Sequence, residues 1–159
     1  MGTLLSLLVS ISLIGGQGPA AQERDAVMKT VQAFFDTMTA SDVEGARQVL
    51  QPQGRFHAMS MKDGKPEVRA FSNEEYFAIL QENAKQKRQE RIWNPDVRIN
   101  GLIATMIAPY DFWIDGKPSH CGTDSFDLIK TEDGWKIAGG VYTLESTCSP
   151  SPLGPLKQE

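Results

Sequence analysis

Tyr110, His120 and Asp124 are the residues whose types could carry proton-transfer chemistry in this chain. A histidine titrates nearest neutrality, a carboxylate can serve as a second proton-transfer group, and a tyrosine hydroxyl can donate to a developing oxyanion. The same residues admit a plainer reading, in which His120 and Tyr110 satisfy one another at a cavity mouth and Asp124 accepts backbone or hydroxyl hydrogen bonds. If His120 and Asp124 share a strand, their α-carbons lie about 13 Å apart, so a concerted role needs a substrate between them. Cys121 as a nucleophile with His120 as its base fails on geometry, because adjacent strand residues point to opposite faces. The only histidines are His57 and His120, which would have to converge with a carboxylate to hold a metal, so no metal site is expected. There is no glycine-rich phosphate loop and no serine elbow, and no cofactor is expected.

These residues fall within a meander. Asp115-Gly116 and Asp133-Gly134 mark two hairpin turns, which predict strands over 102–114, 119–130 and 135–146, preceded by one over 91–100. Reading the first turn as a three-residue loop, Ile114-Asp115-Gly116, pairs Trp113 with Lys117. Tyr110 then stands opposite His120, Met106 opposite Asp124, Ala104 opposite Phe126 and Leu102 opposite Leu128. One face is thus apolar at one end and polar at the other, as expected for a pocket lined by Tyr110, His120, Asp124 and Met106. The other face carries Ile103, Thr105, Ile107, Asp111 and Trp113 beside Cys121, Thr123, Ser125 and Asp127. It is apolar enough to suggest a homodimer contact, unless the C-terminal tail folds back over it. Gly139-Gly140 marks a bulge or bend in the last strand.

The elements that must cover the inner face come earlier. Val27, Val31, Phe34, Phe35 and Met38 recur at helical spacing and predict a helix over 23–39, with Phe34 placed to join the pocket lining. Ser41 and Glu44 read as a capping box for a short second helix ending before Pro52. A strand pair over 55–61 and 67–71 follows around Asp63-Gly64, its second strand held to an edge by Pro66. Ser72 and Glu75 cap a third helix expected to reach Lys87, which makes Lys85, Lys87, Arg88 and Arg91 a solvated, basic helix end. Of Trp93, Trp113 and Trp135, the last is the expected core member.

The chain has 159 residues and a net charge of -4 with a pI near 5.2. That length suits one domain with a sizeable core, and the charge argues against nucleic-acid binding. Residues 4–14 contain only Leu, Ser, Val and Ile, and small residues follow at Gly18-Pro19-Ala20. This reads as a signal peptide over 1–21 of a secreted or periplasmic protein, too short for a stable membrane span; Met-Gly-x-x-x-Ser also fits a loose myristoylation pattern. In an exported chain Cys121 and Cys148 invite a disulfide, which a count of free thiols decides. Residues 149–159, rich in proline, read as a disordered tail.

The order of elements is α+β. From 22 to 148 the chain resembles the nuclear transport factor 2-like superfamily, in its SnoaL-like and lumazine-binding-like branch. Tyr110-Asp111-Phe112, Asp115-Gly116-Lys117, Ser119-His120-Cys121-Gly122, Asp124, Gly134-Trp135-Lys136-Ile137 and Tyr142-Thr143 carry the resemblance. It implies a cone-shaped fold, its N-terminal helices packed in the concave face of a strongly bent mixed, mainly antiparallel sheet, and frequently a homodimer. The leading expectation is an exported protein that binds a small hydrophobic or aromatic molecule. A cofactor-free isomerase, dehydratase or cyclase using His120, Asp124 and Tyr110 is the alternative, and a dimeric structural domain the third.

Overall fold

The computed structural model describes residues 18–156, so residues 4–14 and the leader reading that rests on them lie outside it. Helix α1 (Pro19–Ala40) opens with proline in its first turn and buries Val27, Val31, Phe34, Phe35 and Met38 along one stripe. It ends at Ser41, which adopts the left-handed conformation with φ 53°. Ser41 therefore closes α1 instead of opening the next helix. The N-cap of α2 (Val43–Val49) is Asp42, whose side chain accepts the Gly45 N–H at 2.9 Å.

Strands β1 (Leu50–Lys62) and β2 (Lys65–Ser72) form a hairpin whose central residues Asp63 and Gly64 both have positive φ, as a two-residue primed turn requires. Helix α3 (Asn73–Glu82) carries the expected capping box, with Ser72 and Glu75 each satisfying the other's backbone N–H. It stops at Asn83, well before Lys87, and Arg88 already belongs to β3 (Arg88–Ile92). The single strand expected over 91–100 is broken. Asn94 has φ 47° and Pro95 brings no N–H, so β4 (Asp96–Asn100) starts afresh along the same edge. Strands β5 (Ile103–Ile114), β6 (Lys117–Thr131) and β7 (Gly134–Leu144) complete the meander.

The sheet runs β2-β1-β7-β6-β5-β3, with β4 also on β5. The β1–β7 pair is parallel and the other pairs are antiparallel, giving a mixed, mainly antiparallel sheet that covers three helices among the described residues. Its register differs from the sequence reading. The β5–β6 turn is the two-residue loop Asp115-Gly116, pairing Ile114 with Lys117, and Ser119 is an extra residue between the Trp113–Pro118 and Phe112–His120 pairs. Tyr110 therefore lies opposite Gly122, Met106 opposite Phe126 and Ala108 opposite Asp124. The displacement is two residues, the strand period, so the side chains within β5 and β6 keep their expected face, whereas Leu102, expected opposite Leu128, precedes β5 and is exposed. On β7 the irregularity falls at Ala138, which is skipped between the Leu128–Ile137 and Asp127–Gly139 pairs, immediately before the two glycines.

On the outer face Arg91 is no solvated helix end. Its Nε and Nη2 donate to the two Asp111 oxygens at 2.8 and 2.5 Å, its guanidinium lies 5.2 Å from the Trp113 ring centre, and Nη2 also donates to the Gly154 carbonyl. Residues 149–156, expected as a disordered tail, lie against this face, with Ser151 hydrogen-bonded to Asp111. Cys121 and Cys148 are joined as a disulfide with α-carbons 5.9 Å apart, which anchors the start of that tail. Closing a loop of this length restricts the unfolded chain, so Cys148→Ser is expected to lower stability by about 2–4 kcal/mol in chemical denaturation. An unchanged denaturation midpoint would show that the bridge adds nothing to the fold.

Candidate functional site

The concave face is filled by aromatic rings at one end and left open at the other. Phe34 from α1 stacks on Phe56 of β1 at 5.5 Å, meets Tyr76 of α3 at 5.3 Å and presents an edge to Phe126 of β6 at 5.7 Å. Above these rings lies a cavity of about 160 Å³. Phe34, Phe56, Phe71, Tyr76, Phe112, Phe126 and Tyr142 wall it, with Met38, Ile79 and Leu144 filling between them. Its polar groups are Arg88 and Glu90 on β3, Tyr110 on β5, and His120 and Asp124 on β6.

The expected site residues thus divide. Phe34, Tyr110, His120 and Asp124 border the cavity, whereas Met106 is fully buried in the core and does not. Ala108 takes the place opposite Asp124 that was expected for Met106. Tyr110 and His120 are not cross-strand partners. The Tyr110 hydroxyl donates to the Thr143 carbonyl at 2.6 Å, and the two rings meet edge to face at 5.8 Å. Gly122 allows this close approach of β6 and β7, since a β-carbon there would collide with the Thr143 carbonyl.

His120 stacks on Phe112 at 4.6 Å, and its Nδ1 lies 3.1 Å from the Ser119 hydroxyl. Burial holds its pKa below the usual histidine value, so it is neutral at pH 7. It forms a wall between the cavity and the outer recess under the tail. His57 points outward beside Val141, and among the described residues no three His, Cys, Asp or Glu side chains are grouped to hold a metal.

Sequence reasoning missed Arg88 and Glu90, which have the strongest chemistry in the cavity. Glu90 and Asp124 are hydrogen-bonded to each other through their side chains. Burial and the neighbouring Asp124 charge push the Glu90 carboxyl well above the usual range, so it keeps its proton and donates it to Asp124. Burial raises Asp124 to about 7 even though that bond favours its ionised form. Arg88 is only 7% exposed, and its Nε and Nη2 have no hydrogen-bond partner. The Tyr76 hydroxyl is also unpaired, and burial holds it neutral. The result is an aromatic chamber with a shared-proton carboxyl pair and an unpaired guanidinium at one end.

The family model described as "Putative lumazine-binding" matches residues 22–143. The chain belongs to this family, within the nuclear transport factor 2-like superfamily. Solved members of the superfamily share the fold at low sequence identity. A protein of unknown function from Silicibacter pomeroyi is 17% identical, with a TM-score of 0.60 over 80% of this chain and 100% of that one. A superfamily protein from Salmonella enterica gives 14%, 0.63, 82% and 96%, and one from Cytophaga hutchinsonii 14%, 0.63, 76% and 97%. No curated protein matches the sequence. Lumazine-binding family membership points to ligand binding, and the cavity is where this chain offers room for it.

The carboxyl pair has a consequence for stability. A carboxyl whose pKa is raised on folding binds more protons in the folded than in the unfolded state, so stability falls as pH rises through the window between the two values. For Asp124 that window runs from 3.8 to about 7, and the raised Glu90 carboxyl acts in the same sense. Neutral His120 works in the opposite sense below its unfolded pKa, which leaves the carboxyl pair dominant above about pH 6.5. Denaturation midpoints should therefore drop as pH rises from about 6.5 through 7, and drop less in Glu90→Gln, which removes one titrating group. Parallel profiles for the two proteins would show that Glu90 does not titrate there.

Proposed function

We propose that this chain is an exported binder of a small, flat aromatic molecule held in the cone cavity. One observation carries the reading: a cavity of about 160 Å³, walled by aromatic rings, is bordered by Arg88 and Tyr76, whose buried Nε, Nη2 and hydroxyl have no partner within the protein. An apolar cavity of about 150 Å³ accommodates one benzene ring, so this one suits a one-ring ligand with a polar edge. Each buried group left unpaired costs about 1–3 kcal/mol, and a ligand that pairs them recovers part of that. The family description is consistent with a flat heterocycle. Export is supported by the apolar run over 4–14 and by the Cys121–Cys148 bridge, since disulfides persist in oxidising compartments.

A second reading rests on Glu90 and Asp124. A protonated carboxyl beside an ionisable one inside a cavity is a pair suited to moving a proton on a bound substrate, which would make the protein a cofactor-free enzyme. In that reading Glu90 replaces His120 as the acid, because neutral His120 lies in the wall and Tyr110 is committed to Thr143. Assembly as a homodimer is a further proposal, supported by Ile103 and Ile107, which are 59% and 48% exposed on the outer face with Val141 nearby. Light scattering is expected to give the mass of two chains, and a single-chain mass at micromolar concentration would reject it.

The binding reading is tested by filling the cavity. Ile79→Phe adds a ring from α3 and is expected to reduce retention of an aromatic probe such as phenol by about tenfold or more, while the protein still unfolds cooperatively. Unchanged retention in a folded variant would place the probe elsewhere.

A further inference from the structure

We infer that the cavity selects a small aromatic carboxylate, whose two oxygens bridge Nε and Nη2 of Arg88. The inference rests on the proposed binding role and specifies the ligand's chemistry. Arg88 enters from β3 at its pair with Ile114 and is over nine-tenths buried. Nε and Nη2 are adjacent donors on one edge of the guanidinium, the fork that matches a carboxylate with two parallel hydrogen bonds. Both lack a partner, and among the described residues Arg88 forms no ion pair. Arg91, three residues on, provides the internal comparison. Its fork is filled by Asp111 through Nε and Nη2, so the chain does supply a carboxylate where the role is structural. At Arg88 it supplies none.

The surrounding charges permit an anion. Facing the cavity are Tyr76 from α3, Glu90 from β3, Tyr110 from β5, His120 and Asp124 from β6, and Tyr142 from β7. The three phenols are held neutral by burial, His120 is uncharged, and Glu90 keeps its proton. Asp111, whose charge also reaches Glu90, is on the outer face and paired with Arg91. Asp124 is thus the main group whose ionisation opposes a bound anion, and it ionises only near pH 7. The aromatic walls then distinguish the ligand from an inorganic anion. A ring lies among Phe34, Phe56 and Phe126 while the carboxylate reaches Arg88, whereas phosphate gains nothing from those walls.

Calorimetry on the full chain with benzoate, its neutral isostere benzamide, and inorganic phosphate tests this. At about pH 6 benzoate is expected to bind about tenfold or more tighter than benzamide, with phosphate weaker than both. Raising the pH to about 8 is expected to weaken benzoate severalfold and leave benzamide unchanged, because Asp124 becomes charged. Arg88→Lys, which keeps the charge but loses the fork, should lower the benzoate preference by about tenfold. The wild-type pH series carries the test if that variant does not fold. Equal binding of benzoate and benzamide would overturn the carboxylate inference and leave the cavity reading intact. Phosphate binding as tightly as benzoate would overturn the aromatic part. Binding of none of the three would overturn the inference and count against the cavity reading as well.

Discussion

The packing of Phe34 against Phe56, Tyr76 and Phe126 is the contact on which the rest of the structure depends. It joins α1 and α3 to strands from both halves of the sheet, and Phe71 extends it to β2 by stacking on Phe56 at 5.7 Å. Flat rings meeting at stacked and edge-on angles bury much apolar surface but cannot taper to fill the end of a cone. The unfilled end becomes the cavity. The same rings keep water from Asp124, so the packing of the core is also a cause of its raised carboxyl pKa.

Strand β3 shows how one short segment separates stability from function. Its alternation sends Arg91 outward, where Asp111, the Trp113 ring and the Gly154 carbonyl occupy its guanidinium and fix the tail. Arg88 and Glu90 go inward, where burial opposes their charged forms and Arg88 finds no counter-ion. Buried polar groups left in this state oppose folding, and chains retain such local conflicts chiefly at functional sites.

Much of the architecture was legible because it follows from strong local rules. The stripe of α1, the Ser72–Glu75 box and the Asp-Gly turns each specify an element without reference to distant partners. The inner face was legible for a different reason: an error of two residues in the β5–β6 register is a whole strand period, so Tyr110 and Asp124 stayed inward although their partners changed. Met106 stayed inward too, but in the filled core and not on the cavity wall. Arg88 and Glu90 were hidden because the end of α3 is set by Asn83 and by packing, and a helix prolonged to Lys87 turns the charged run into solvated surface. The alternation from Arg88 to Ile92 was present in the sequence, but charged side chains on an inward face contradict the usual pattern. Only the partner strand β5 reveals it.

The central claim is that desolvation by the aromatic chamber makes Glu90 and Asp124 share a proton at neutral pH. Carbon-detected NMR of side-chain carboxyls, with Glu90 and Asp124 assigned by Glu90→Gln and Asp124→Asn, measures this directly across the pH range. The account predicts a Glu90 carboxyl still protonated at pH 7 and an Asp124 midpoint near 7. Both carboxyls ionising below about pH 5, like exposed side chains, would contradict it.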